Sequence, residues 1–286
     1  MTTTATTTAR PRPRRRWLTG TNLAALLVAL FIAAPLYWLV ASSLKAPKEL
    51  GAVPPTLLPT KPTLNNYTEA FTHYGFATYL ENSALVSVLA TLLVLTLGTF
   101  AGYALARLPV RGKSPIMIAL LMISLFPTVA VAAPLYLLLR DLGWLNGYQG
   151  LILVYTAFNL PFAIWILRNY FLSIPKEMEE VAWMDGASPL RTVRSVILPQ
   201  AKPGLFTAGI FTFVSCWTEF LLALTLNNSD RYRTIAVGIA LFSGQYTIPY
   251  GDIFAAAIVS MLPIAILVLV FRRAVVSGLT AGAVKG

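Results

Sequence analysis

The sequence predicts an all-α, polytopic integral membrane protein, and three observations carry that prediction. Charged residues make up 12% of the chain and hydrophobic residues 57%, with a mean hydropathy of +0.69. A soluble chain of this size carries about twice that charged fraction. Six stretches are apolar over roughly the 20 residues needed to cross a bilayer core of about 30 Å. The basic residues sit at the ends of these stretches rather than in one run with interleaved aromatics, so the net charge of +11 reads as membrane topology and not as nucleic-acid binding.

The six stretches run from about 22 to 44, 83 to 106, 115 to 139, 151 to 171, 205 to 226 and 251 to 271. Backbone polar groups must be paired within lipid, so runs of this length are read as helices; barrel strands are shorter and alternate. Residues 1–16, Thr-rich and then Arg/Pro-rich, read as a disordered basic tail, 17–271 as a six-helix transmembrane domain, and 272–286 as a C-terminal tail. The first apolar run is long for a signal peptide and reads as an uncleaved anchor. With both termini cytoplasmic, sixteen Lys and Arg fall inside and six outside, which sets the expected orientation. Prolines 47, 54, 55, 59 and 62 predict an extended connection over 45–80, and 235–241 reads as a short re-entrant or surface helix.

Enzymatic chemistry has no candidate. His73 and Cys216 are the only residues of their types and lie on different sides of the expected topology. Neither a Cys/His pair nor a metal set can be assembled from them. Gly112-Lys113-Ser114 resembles the end of a phosphate-binding loop, but Arg107 stands where its leading glycine is needed.

The polar stretch 175–204 interrupts the apolar pattern. Residues 176–184 are good helix formers with acids in the first turn, and Met178, Val181, Ala182 and Met184 or Trp183 are expected on a shared apolar side. Gly186 supplies a left-handed stop, Ser188 an N-cap and Pro189 a first helical position, with the second helix ending at Pro199. Two short helices at a tight turn make a knob suited to a partner's groove, although a solvated loop between two spans would leave similar marks.

Glu180-Val181-Ala182, then Asp185-Gly186, then nine residues and Val196-x-Leu198-Pro199 resemble the EAA loop of permease subunits in binding-protein-dependent ABC importers. Val181 and Val196 depart from the usual Ala and Ile. Trp217-Thr-Glu219-Phe-Leu resembles a segment of carbohydrate importer permeases, with Thr218 in place of Asn, and the ending Gly278 to Gly286 resembles the tail of the maltose-type second permease subunit.

The resemblance implies a maltose/trehalose-type sugar permease in a bacterial plasma membrane. It implies a heterodimer with a second permease, two cytoplasmic ATPase subunits and an external solute-binding protein. ATP and Mg would belong to the ATPase subunits, with no cofactor on this chain. The loop 175–204 would couple to an ATPase through Glu180, Val181, Ala182, Asp185, Gly186, Val196, Leu198 and Pro199, with a further tail contact through Leu279, Thr280 and Lys285.

For the solute path, Asn159, Trp217 and Glu219 are candidates, since sugar sites combine amide or carboxylate hydrogen bonds with aromatic stacking; Tyr103 and Phe126 are weaker ones. An intramembrane carboxylate such as Glu219 serves either a solute hydroxyl or its neighbouring helices. Prolines 127, 134, 161 and 263 read as kinks that let a bundle surround a cavity. Few charges in the spans favour a neutral polar solute. A permease for a phosphorylated polyol, amino acid or peptide, and an ATPase-independent channel or scaffold, remain alternatives.

Overall fold

The computed structural model describes residues 20–242 and 248–281, with side chains through residue 271. Among the described residues every regular element is a helix, with no strand. The basic tail 1–16 and Lys285 lie outside them.

Four helices are long and apolar enough to cross a membrane: α1 (Gly20–Ser43), α4 (Phe76–Arg107), α7 (Tyr148–Ser173) and α14 (Tyr250–Ala281, apolar through Phe271). The expected span at 115–139 is two helices, α5 (Lys113–Ser124) and α6 (Thr128–Asp141), bent by 88° at the break. Pro127 caps α6 in extended conformation at that bend, whereas Pro134, Pro161 and Pro263 sit inside continuous helices.

The expected span at 205–226 is also divided. It consists of α11 (Lys202–Thr218) and α12 (Leu221–Leu226), interrupted where Glu219 turns extended at ψ 131°. Uniform hydropathy concealed this break. Leu279 and Thr280 belong to the continuous helix α14, so the backbone does not leave the helix at 272.

The connection expected to be extended over 45–80 holds two helices, α2 (Pro47–Leu50) and α3 (Asn65–Thr72), and α4 begins at Phe76. Pro47 sits in the first helical turn of α2, where a missing N–H costs nothing, and the proline-rich run 54–62 stays irregular. On this surface Glu49 accepts from Thr56 Oγ1 at 2.7 Å, Thr60 N–H at 2.9 Å and Thr60 Oγ1 at 3.1 Å. The Thr56 hydroxyl, then the Thr60 amide, holds the Glu49 carboxyl below its ordinary pKa.

The centre of the bundle is the crossing of α4 on α7. Gly98 and Gly102 face α7, and a Cβ on Gly102 would stand 3.2 Å from both the Arg168 amide nitrogen and Leu167 Cβ. Small residues at such a crossing let the backbones approach closely, which supplies packing attraction where lipid offers no hydrophobic drive. The two helices run parallel: Tyr148, at the start of α7, donates to Asn82 Oδ1 near the start of α4 at 2.8 Å, and Arg107 at the end of α4 donates to the Ile174 carbonyl after α7. The bent α5–α6 pair carries the chain back between them.

At the α7 N-terminal end the connections are laced together. Asn82 Nδ2 donates to the carbonyls of Arg231 and Arg233 at 2.9 and 2.8 Å. Asn146 N–H donates to Leu226 O at 3.0 Å, and Gly147 N–H to Asn227 Oδ1 at 3.3 Å. The helix read from 235–241 is α13 (Ile235–Ala240); its Ile235, Val237 and Gly238 are buried, so it packs inward instead of lying on a surface. Gly238 sits so close to Tyr79 that an added Cβ would fall 2.2 Å from the ring Cδ2. By contrast α1 is apolar and uncovered, its most hydrophobic window entirely unburied, as a lipid or subunit face requires.

Candidate functional site

The polar stretch forms an elbow. After Ile174 leaves α7 in extended conformation, α8 (Glu177–Met184) starts with Glu177, Glu179 and Glu180 in its first turn, where carboxylates complement the helix dipole. Its end is a Schellman turn: Ala187 N–H donates to Ala182 O at 2.9 Å, Gly186 N–H to Trp183 O at 3.0 Å, and Gly186 has φ +78°. Ser188 Oγ then accepts from Arg191 N–H at 3.4 Å and Pro189 opens α9 (Pro189–Thr192).

The second arm does not stop at Pro199. A wide π turn (Val193–Ile197) leads into α10 (Leu198–Gln200), with Pro199 inside it. Proline cannot donate to the carbonyl four residues back and its ring crowds that group; widening the preceding turn makes room for it.

The expected apolar side of α8 divides into two faces. Ala182 is buried with Glu179, while Val181 is 51% and Met184 80% exposed. Leu190 on α9 is 67% exposed, so the elbow presents apolar side chains from both arms to the outside. Glu180, Asp185, Gly186 and Pro199 are exposed beside them, whereas Val196 and Leu198 are half-buried against the core under the elbow.

Sequence reasoning missed what anchors this elbow. Glu179, 3% exposed, forms an ion pair with Arg107 Nε at 2.7 Å and accepts the Tyr103 hydroxyl at 3.0 Å. Tyr103, weighed above for the solute path, packs edge-on against Phe171 with ring centres 5.9 Å apart, between α4 and the elbow. The one local signal was the apolar flank around an arginine closing a long helix.

The second candidate region surrounds the α11–α12 break. Glu219 Oε1 accepts from Leu222 N–H at 2.8 Å, and Oε2 from Ala223 N–H at 3.0 Å and Tyr155 hydroxyl at 2.8 Å. The carboxylate therefore satisfies amides that the interrupted helix frees, which lipid could not do. Asn159, half-buried on α7, donates to Tyr155 O at 2.9 Å and reaches Cys216 Sγ at 3.6 Å. Trp217 is 4% exposed, stacks on Phe213 and donates through Nε1 to Ser260 O at 3.1 Å, joining α11 to α14. Phe126 stands exposed at the α5–α6 bend.

Residues 94–281, which contain both the elbow and the break, match the family described as the binding-protein-dependent transport system inner membrane component. The chain belongs to this family. As a binding-protein-dependent transport component it is a multi-helix membrane transport subunit, not an ATP-hydrolysing enzyme. It is 41% identical to the sulfoquinovosyl glycerol transport system permease protein SmoH of Agrobacterium fabrum over 252 residues, 88% of each chain. It is 38% identical to the trehalose/maltose transport system permease protein MalG of Thermococcus litoralis over 268 residues, 92% of this chain and 95% of the other. With the trehalose transport system permease protein SugB of Mycobacterium tuberculosis the identity is 40% over 262 residues, 91% and 95% of the two chains. Its fold is that of a chain in the crystal structure of a bacterial ABC transporter importing the acidic polysaccharide alginate, with a TM-score of 0.78 at 23% identity, covering 92% of this chain and 99% of that one.

Proposed function

We propose that this binding-protein-dependent transport component is the permease subunit of an ATP-driven sugar importer, forming half of the translocation path and taking its motion from an ATPase through the elbow. The observation that carries the coupling part is the elbow itself: exposed Val181, Met184 and Leu190 around the Gly186 turn, on a base braced by buried charge. Apolar side chains held out from a polar segment suit the cleft of a soluble partner, in the helix-in-groove mode.

In this reading the chain crosses the membrane six times with both termini cytoplasmic, α5–α6 and α11–α12 each counting as one broken crossing. The excess of Lys and Arg at the elbow end supports the orientation. A second permease completes the path, two ATPase subunits carrying ATP and Mg drive it, and an external binding protein delivers the sugar. Glu180, Val181, Asp185 and Gly186 contact the ATPase, with Ala182, Val196, Leu198 and Pro199 shaping the elbow, and the tail through Leu279, Thr280 and Lys285 adds a second contact. Asn159, Trp217 and Glu219 border the path. Trehalose/maltose and trehalose permeases among the relatives support a sugar as solute.

Co-purification and uptake test the proposal. The unsubstituted chain retains an ATPase and imports labelled sugar. Glu180→Lys, or Asp185→Lys combined with Gly186→Pro, inserts normally and loses import. Normal uptake from those variants refutes the coupling role; ATP-dependent uptake of an amino acid or peptide instead of a sugar refutes the solute.

A further inference from the structure

The buried contact of Glu179 with Arg107 and Tyr103 does more than fill space under the elbow. The eight-residue α8 is joined to α7 through the extended residue Ile174, a connection that transmits push and pull poorly. Across the gap, the end of α4 grips the same region twice: Arg107 pairs with Glu179, and its guanidinium also donates to the Ile174 carbonyl. Tyr103, one helical turn earlier, takes the other Glu179 oxygen at 3.0 Å. The paired side chains are only 5% and 4% exposed. Pulling α8 away from α4 would strand two charges in apolar surroundings, so this contact resists sliding in a way that methyl groups able to repack do not. Nor is the pair required to seat α4 on α7, since the Gly98 and Gly102 crossing does that independently.

We propose that Glu179, Arg107 and Tyr103 form a charge-anchored joint that makes α4 and the elbow one rigid body, so that ATPase movement is delivered to α4 directly and not only through α7 and α11. Glu179 is thus a positioning residue, acting through α8. The inference rests on the coupling role proposed above.

Distances in the complete reconstituted complex test it. In a Cys216→Ser background, spin labels at Leu108→Cys and Glu177→Cys, both exposed positions, bracket the joint. Their separation stays the same in the nucleotide-free and ATP-trapped complex; a change between the two states overturns the proposal. Glu179→Gln removes the charge at constant shape. It should keep its ATPase subunits and hydrolyse ATP while sugar imported per ATP falls about tenfold or more, the scale of a typical coupling free energy. The swap Arg107→Glu with Glu179→Arg should recover part of that ratio. Full import per ATP from Glu179→Gln contradicts the joint, and should that variant fail to fold, the label distance in the unsubstituted pair decides alone. Capture of ATPase by Glu180→Lys separates the two readings: if the ATPase still binds and import persists, the coupling role fails; if both are lost while the label distance changes with nucleotide, only the joint fails.

Discussion

The Tyr155 hydroxyl donates to the Glu219 carboxylate at 2.8 Å, and the same carboxylate takes the Leu222 and Ala223 amides. One side chain therefore ties α7 to the start of α12 and closes the open end of an interrupted helix. Glu219→Ala removes the cap and leaves the buried Tyr155 hydroxyl without its acceptor. Combining a lost cap with an orphaned polar group, a loss of about 2–3 kcal/mol is expected. Thermal unfolding in detergent should report it, with Glu219→Gln, which keeps an acceptor, losing less.

At the elbow, Gly186 has φ +78° with nothing within 4 Å of a would-be Cβ, so substitution meets backbone strain and no clash. Gly186→Ala is expected to loosen the turn by about 1–2 kcal/mol, and Gly186→Asn by less, because asparagine tolerates the left-handed region. Amide exchange at Ala187, whose N–H closes the turn onto Ala182, is the direct measurement.

Gly238 poses the opposite problem, since its Cβ would collide with Tyr79 at 2.2 Å. Gly238→Ala should destabilise the protein by about 1–3 kcal/mol through overpacking. In a Tyr79→Ala background the added penalty should nearly vanish, a coupling that a double-mutant cycle on melting temperature would expose.

Glu49 predicts a pH dependence on the surface near α2. Its folded pKa is lowered, so its contribution is present above the unfolded value, near 4.5, and is lost as pH falls through the folded value. Protection of the Thr60 amide, which donates to Glu49 at 2.9 Å, should hold as pH drops from neutral toward 4.5 and decay only below it. In Glu49→Gln that step should be absent.

Much of the elbow was legible because turn chemistry is local. Gly186 tolerates the left-handed region, the Ser188 hydroxyl can accept a free amide and Pro189 fixes a helical φ, and the Schellman turn and N-cap follow from them. Likewise the long apolar runs of α1, α4, α7 and α14 announce themselves by length. What stayed hidden depends on contacts distant in sequence. Nothing near Glu179 distinguishes it from Glu177 or Glu180 until Arg107 arrives from the end of α4. The division of α11 from α12 escaped hydropathy because the residues on both sides are equally apolar, and Glu219, its one local mark, fits either a solute contact or a cap. Prolines in 45–80 overshadowed Asn65–Thr72, a helix secured by tertiary bonds from Asn66 Nδ2 to the Ser43 and Lys45 carbonyls at 2.7 and 2.8 Å.

The division of α11 from α12 has a mechanical corollary. Below it, α11 is pinned to α14 by Trp217; above it, α12 is moored to α6 and α7 and hooked to Asn146 at its far end. A segment built in two pieces can swivel at Glu219 without tearing a helical ladder that is already parted there. Each half can then turn while the other stays moored to its own neighbours.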